Sequence, residues 1–275
     1  LGLKYEQTVD KEGKKVMTVN QKAYIQALMK RFHLEEVTTK KYTPLPASNG
    51  RSLEEIMGVI TTADEEWAAQ QNYPCIVGSL IHAMVHTRPD IAYAVSLLSR
   101  AMSNPMPHHY KAAKHLLLYL KTTGTWGLEC RQAQMELHFE HWLTGAVDSS
   151  FADCGATARS TSGYIIWFAG IPLEWECKRQ PLVTMSTMES EYVAASKCVN
   201  AIRALYKYLS LAGLNSKSPT TILEDNTACI VVATTTNPVH RMRTRHIALR
   251  FHNVREAVRD GVVSLKHVWT EHQVA

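Results

Sequence analysis

The feature that most constrains this chain is a change of hydrophobic period near residue 141. From there three short apolar-rich runs, Leu143–Asp148, Thr161–Phe168 and Pro172–Cys177, are separated by brief polar or glycine-bearing turns, the pattern of a three-strand meander. A long helical pattern then runs from Thr187 to about Ala212, is closed by Gly213, and leads to another strand at Thr220–Glu224. Strand, long helix and strand in succession predict a parallel addition to the sheet. A helix from Asn226 to about Thr234, a basic helix and a last strand at Val262–Trp269 complete the order β-β-β-α-β-α-α-β. The expectation is an α+β domain built on a mixed five-stranded sheet.

The preceding half has a different grammar. Leu1–Val9 and Lys14–Val19 flank Asp10-Lys11-Glu12-Gly13 as a hairpin, and Asn20 caps a helix to about Phe32. The stretch that follows carries Pro44, Pro46, Ser48, Asn49 and Gly50 with little periodicity, so residues 46–72 read as a linker after a hairpin-helix unit over 1–45. Three helices, Cys75–His86, Asp90–Met102 and His108–Lys121, each open beside a proline, where the missing donor is harmless. With short strands near Trp126–Cys130 and Met135–Glu140 they form a helical region over 73–140, and the strand-rich domain takes 141–275.

Several function classes fall away on composition. The longest nearly unbroken apolar run, Tyr164–Ile171, has eight residues, against the roughly 20 a spanning helix needs. The nearest pair of the six cysteines, Cys177 and Cys198, is 21 positions apart, so no CxxC motif exists and the thiols read as those of a reducing, intracellular setting. GxSxG, GxxxxGK and GxGxxG are absent. His82 and His86 are four apart on a helix without the glutamate of a protease motif, and His138 and His141 straddle a strand end; both pairs read as ordinary helix or strand histidines. The chain opens at Leu1 without a leader and ends in a hydrophilic run, which reads as a piece of something longer.

Charge is concentrated. Lysine and arginine exceed the acids by five overall, and the segment from His240 to Arg259 accounts for all of it, with Arg241, Arg243, Arg245, Arg250, Arg255 and Arg259 against Glu256 alone. Such a patch suits a polyanion partner, the alternative being a solvated arginine-rich helix face.

The acids point to chemistry. Asp148 ends one apolar strand and Asp225 follows another, so neighbouring parallel strands deliver both carboxylates to one sheet edge. The alternative is helix capping, stronger for Asp225, where a helix begins next. At the start of the long helix, Ser186-Thr187-Met188-Glu189 fits a capping box and occupies Glu189. Glu191 lies roughly 200° around the helix from it, on a face shared with Ala194, Ala195 and Cys198 that permits close packing on the sheet. Three carboxylates without histidine or cysteine favour a hard cation such as Mg²⁺. Two such ions beside a basic helix make a combination suited to cutting a phosphodiester.

The strings Pro89-Asp90-Ile91-Ala92, Arg159-Ser160-Thr161-Ser162-Gly163-Tyr164, Glu189-Ser190-Glu191-Tyr192, Glu224-Asp225-Asn226 and Arg243-Thr244-Arg245-His246-Ile247 resemble, in order and spacing, the C-terminal part of copia-type LTR retrotransposon Pol polyproteins. The resemblance covers essentially the whole chain. It implies that residues 1–45 are the end of a reverse transcriptase, 73–140 a connection region, and 141–275 a ribonuclease H-like domain shortened at its C-terminus. By the same likeness Asp148, Glu191 and Asp225 are the catalytic and metal-binding acids, Arg241, Arg243, Arg245 and His246 bind nucleic acid, and the cofactor is a pair of Mg²⁺ ions, with Mn²⁺ as a substitute.

The implied partners are an RNA–DNA hybrid and the polymerase region of the same polyprotein, with no membrane, in the cytoplasm within a virus-like particle or in the nucleus. The family's further aspartate would fall just past Ala275. Ser150, Phe151, Ala248 and Trp269 depart from the family pattern, and no Asp-Asp dipeptide occurs, so this piece is not expected to polymerise DNA. The rival reading is a catalytically silent nucleic-acid-binding or structural remnant of the reverse transcriptase. A third is a folded domain whose basic helix meets acidic protein surfaces.

Overall fold

The computed structural model describes residues 2–47, 51–132, 142–155, 157–214, 218–235 and 248–275, and the chain divides into two compact units, Leu1–Glu129 and Cys130–Ala275.

In the first unit β1 (Lys4–Val9) pairs antiparallel with β2 (Lys15–Asn20). The Asp10 carboxylate accepts the amides of Glu12 and Lys14, both at 2.9 Å, and Gly13 takes the positive φ of 78° that the turn requires. The third strand, β3 (Gly127–Arg131), lies on the other side of β2. Six helices follow the hairpin: α1 (Lys22–Arg31), α2 (Leu53–Met57), α3 (Thr62–Ala69), α4 (Tyr73–Thr87), α5 (Ala92–Ser99) and α6 (Pro107–Thr122). Asn72 caps α4 through Cys75 N–H at 3.1 Å, with proline in the first turn as the sequence suggests.

Two expectations need correction. The segment 46–72 is not a plain linker. It holds α2 and α3, each opened by a capping box, Ser52 with Glu55 and Thr61 with Asp64, and it buries Met57 and Trp67. The Trp67 indole donates to Phe32 O at 2.9 Å. Nor do the hairpin-helix and the helical region stand apart. The apolar stripe of α1, Ile25, Leu28 and Met29, belongs to the same core as Ile76, Leu80, Leu98, Leu116 and Leu117, because a ten-residue helix cannot bury that stripe alone. The strand expected at Met135–Glu140 lies outside the described residues.

The second unit contains β4 (Leu143–Ser150), β5 (Thr161–Phe168), β6 (Ile171–Arg179), α7 (Thr187–Leu211), β7 (Thr220–Glu224), α8 (Thr227–Thr234), α9 (Ala248–Arg259) and β8 (Val263–His267). Its sheet has the order β6-β5-β4-β7-β8. The β4–β5 and β5–β6 pairs are antiparallel, while β4–β7 and β7–β8 are parallel. The expected mixed five-stranded sheet and its element order are therefore present.

Helix α7 packs on β4 and β5 at short range. A Cβ on Gly145 would lie 3.2 Å from Cys198 Sγ, so glycine on the strand and a small thiol on the helix allow the approach together. Val147, Ile166, Val199, Ile202 and Ile222 fill the interface, and Tyr192 stacks on Phe251 with ring centroids 4.1 Å apart. Among the described residues, no helix is long and apolar enough to cross a membrane.

Candidate metal centre

Parallel pairing sets Ala146 of β4 beside Leu223 of β7. Two residues further along each chain stand Asp148 and Asp225, so both carboxylates arrive at the same edge of the sheet. The third acid comes from α7. Ser186 caps that helix, its Oγ accepting Glu189 N–H at 3.2 Å, and the Glu189 carboxylate accepts Met185 N–H at 2.7 Å. The expected engagement of Glu189 with the helix start holds, although its partner precedes the capping residue. Glu191 is buried on the face of Ala194, Ala195 and Cys198, as its spacing predicts.

Asp148, Glu191 and Asp225 each offer a carboxylate oxygen within 4.8 Å of the other two. Among the described residues no other group of three metal-competent side chains converges in this way. The His82 and His86 rings pack against one another at a tilt, centroids 4.2 Å apart, and His86 Nδ1 faces His82 O at 2.8 Å, consistent with helix histidines rather than ligands.

A fourth acid escaped the sequence reading. Glu224 is fully buried, because Thr220, Ile222 and Glu224 alternate onto the covered face of β7. Period-two alternation along β7 is the signal that marks its position as covered. Glu224 Oε1 accepts Asn226 N–H at 3.0 Å, while Asn226 Oδ1 caps α8 through Cys229 N–H at 3.0 Å.

Burial and mutual repulsion shape the protonation of this cluster. Burial, then the charge of Asp225, holds the Asp148 carboxyl above its ordinary range. Glu191 is pushed up to about 9, mainly by burial and then by Glu224 and Asp148. Glu224 is pushed up to about 7, mainly by burial. Acids whose folded pKa lies above the unfolded value hold protons more tightly when folded, so their contribution to stability is complete below the ordinary carboxylate range and is lost as pH rises through the folded values. The metal-free protein should therefore melt at progressively lower temperature from about pH 5 to pH 9. Glu191→Gln should flatten that decline. Thermal melts across this range check it, and an undiminished decline in Glu191→Gln would refute the assignment.

The donor set fits a divalent cation. Glu191 Oε2 and Glu224 Oε2 are buried without a hydrogen-bond partner, which a cation at the acid cluster would relieve for Glu191. Oxygen-only ligands suit a hard ion. Asp225 Oδ2 accepts Thr270 Oγ1 at 2.8 Å, an orienting contact from the segment after β8. Gln273 Nε2 donates to Val147 O at 2.7 Å, and the backbone of Ala275 sits 3.4 Å from where a Cβ on Gly163 would stand. Gly163 is the ladder partner of Asp148, so residues 270–275 run beside the acids.

The basic segment divides. Arg241, Arg243, Arg245 and His246 lie outside the described residues. Within α9, Arg255 donates to Thr235 O, and Arg259 pairs with Asp260 at 2.9 Å. Both contacts lie at the surface, so these two arginines have neighbours within the second unit while remaining at least partly exposed to solvent.

No protein-family model matches the chain. It is 31% identical over 257 residues, 94% of its length, to the Retrovirus-related Pol polyprotein from transposon TNT 1-94 of Nicotiana tabacum, of which it covers 18%. To the Retrovirus-related Pol polyprotein from transposon RE1 of Arabidopsis thaliana it is 31% identical over 268 residues, 96% of this chain and 17% of that protein. The chain thus spans under a fifth of the length of these relatives. Among solved structures, LC11-RNase H1 in complex with RNA/DNA hybrid aligns with 48% of this chain and 88% of its own, at 12% identity and a TM-score of 0.35. The second unit has the mixed five-stranded sheet with flanking helices that was expected of a ribonuclease H-like domain, and the sequence likeness over nearly its whole length shows that the chain belongs to the copia-type retrotransposon Pol polyproteins.

Proposed function

We propose that the second unit is a ribonuclease H module that hydrolyses the RNA strand of RNA–DNA hybrids. The observation that carries this is the convergence of Asp148, Glu191 and Asp225 within 4.8 Å at one sheet edge. These three carboxylates would hold Mg²⁺, two ions in the complete site, with Mn²⁺ as a substitute. When bound, such ions supply an activated water and neutralise charge at the leaving oxygen. Thr270 fixes the orientation of Asp225, and the buried face of α7 fixes Glu191.

Within the same reading, the first unit represents the end of the reverse transcriptase with its connection region, and the polymerase region of the polyprotein is the expected partner. An intracellular setting, in a cytoplasmic virus-like particle or the nucleus, follows from the family. The test is cleavage of a labelled hybrid in Mg²⁺ by this chain and by one extended by about twenty residues of the parent sequence. Cleavage confined to the RNA strand supports the proposal. Tight hybrid binding without cleavage by either chain would replace it with a silent binding module.

Arg241, Arg243, Arg245 and His246 are the proposed contacts to the hybrid backbone. Each phosphate contact adds nearly one unit, roughly 0.9, to the slope of log K against log salt. Replacing Arg241 and Arg245 by alanine should flatten that slope by about one to two units and weaken binding to all sequences alike, since phosphate contacts carry no base information. Binding titrations at four salt concentrations measure this, and an unchanged slope would leave these arginines as a solvated face.

A further inference from the structure

We infer that Gln180, Ser149 and Ser190 form a brace that sets the separation of Asp148 and Glu191, with Gln180 as its central positioning residue; this rests on the ribonuclease reading of the site. Asp148 and Glu191 come from different elements, so the distance between them depends on where the first turns of α7 sit against β4. The residue next to each acid makes that attachment. Ser149 Oγ donates to Ser190 Oγ at 2.7 Å, and Ser190 Oγ donates in turn to Thr187 O at 2.7 Å.

Gln180 closes the circuit from the other side. It directly follows β6, and its backbone amide donates to Ser160 O at 2.8 Å. Its side-chain nitrogen Nε2 donates to Ser190 O at 3.0 Å and to Ser162 Oγ at 2.8 Å. Ser162 is the ladder partner of Ser149. The bonds therefore run from β4 to α7, from α7 to Gln180, from Gln180 to β5, and through the ladder back to β4.

The amide can point only one way. A backbone carbonyl accepts and never donates, so contact with Ser190 O demands the NH₂ group there. That orientation leaves Gln180 Oε1 buried without a partner, in a residue that is 1% exposed. An unmet buried acceptor destabilises a fold, but the same side chain gives Ser162, itself 1% exposed, its hydroxyl partner, so the gain and the cost of glutamine in stability oppose one another. Stability alone does not account for glutamine here. Holding the acids does, because partners one step removed from a metal ligand commonly change ion affinity by about 10- to 100-fold when lost.

The experiment uses the full chain, with Mn²⁺ as the probe, bound and free ion being separated by electron paramagnetic resonance. Gln180→Met is expected to weaken Mn²⁺ binding about 10-fold while the metal-free melting temperature stays near wild type, one unmet acceptor being exchanged for an unpaired hydroxyl on Ser162. Hybrid cleavage at fixed Mg²⁺ should lose kcat with little change in KM, and added Mg²⁺ should restore part of it. Ser149→Ala should shift Mn²⁺ affinity in the same direction, whereas Ser149→Thr, which keeps the hydroxyl, should retain it. Ser149 also lies beside the Glu191 carboxylate itself, so should Gln180→Met fail to fold, Ser162→Ala, which frees the Gln180 amide without touching either acid, carries the test and should weaken Mn²⁺ binding in the same direction.

Wild-type Mn²⁺ affinity in both Gln180→Met and Ser149→Ala would overturn the brace and leave the ribonuclease reading intact. A wild-type chain that binds no Mn²⁺ at Asp148, Glu191 and Asp225 would overturn that reading, and the brace with it.

Discussion

In the chain extended past Ala275, Asp148→Asn, Glu191→Gln and Asp225→Asn should each lower the proposed hybrid cleavage by more than about 100-fold, because even partners outside the ligand set commonly change metal-site activity by 10- to 100-fold. The shorter chain alone is expected to be weakly active or inactive. The metal-free fold should survive all three. In the absence of cation these carboxylates oppose one another, and a neutral isostere removes a repulsion that burial sharpens. The melting temperature at pH 8 should accordingly stay level or rise, while the stabilisation normally gained on adding Mg²⁺ disappears, because a ligand stabilises only what it binds. Glu189→Gln is the informative contrast. Its carboxylate serves Met185 N–H at the helix start, and glutamine keeps an acceptor there, so the change should cost only about 0.3–1 kcal/mol through the lost charge at the helix N-terminus and leave turnover of the folded protein near wild type. A loss of turnover in Glu189→Gln matching that in Glu191→Gln, without a fall in stability, would show that the acids have been assigned the wrong way round.

How far this site was legible in the sequence depended on how each signal is generated. Asp148 and Asp225 stood out because apolar strands end beside them, and Glu191 because helical rotation separates it from the residue that caps. Those are local, periodic signals. Glu224 and Gln180 gave weaker ones. Glu224 is a charge at a position where alternation asks for an apolar residue, and it takes the fold to show that the position is fully covered. Gln180 sits after a strand among polar residues, and its contacts are to residues 10 and 18 positions away, pairings that no local period encodes.

The same contrast explains the first unit. Prolines marked the starts of α4, the α5 region and α6 correctly. The turn-forming Pro44, Pro46, Ser48, Asn49 and Gly50, however, drew the whole stretch after them into a linker. Helices of five and eight residues make at most about two turns, too few for a clear amphipathic repeat, so the sequence marks α2 and α3 chiefly through their capping pairs.

Asp90→Ala is expected to destabilise the first unit strongly. Arg88 is 1% exposed. Its guanidinium grips Asp90 with two bonds, Nε to Oδ1 at 2.9 Å and Nη2 to Oδ2 at 2.7 Å. The remaining donors reach Thr123 O at 3.2 Å and Thr123 Oγ1 at 2.7 Å at the end of α6. The Tyr119 and Trp126 rings lie 5.4 and 5.8 Å from the guanidinium carbon, and Tyr119 OH donates to Asp90 Oδ2 at 2.7 Å. This cluster ties the turn between α4 and α5 to the end of α6, which gives Asp90 of the Pro89-Asp90-Ile91-Ala92 string a structural purpose.

Removing the carboxylate strands a buried cation. Such a loss costs about 3–5 kcal/mol in general, and the partial exposure of Asp90, 30% for its side chain, places it toward the lower end. Arg88→Met should cost less, because the carboxylate left behind reaches solvent and keeps the tyrosine hydroxyl. The double change Arg88→Met with Asp90→Leu should recover part of the loss, since an apolar pair carries no uncompensated charge. Urea denaturation of the three variants, with hydrogen exchange of the α4 and α6 amides to locate the effect, measures the order. Were Asp90→Ala no worse than Arg88→Met, the guanidinium would have to be finding water in the folded state, and the cluster would be a surface ion pair worth little rather than the lock that holds these helices in register.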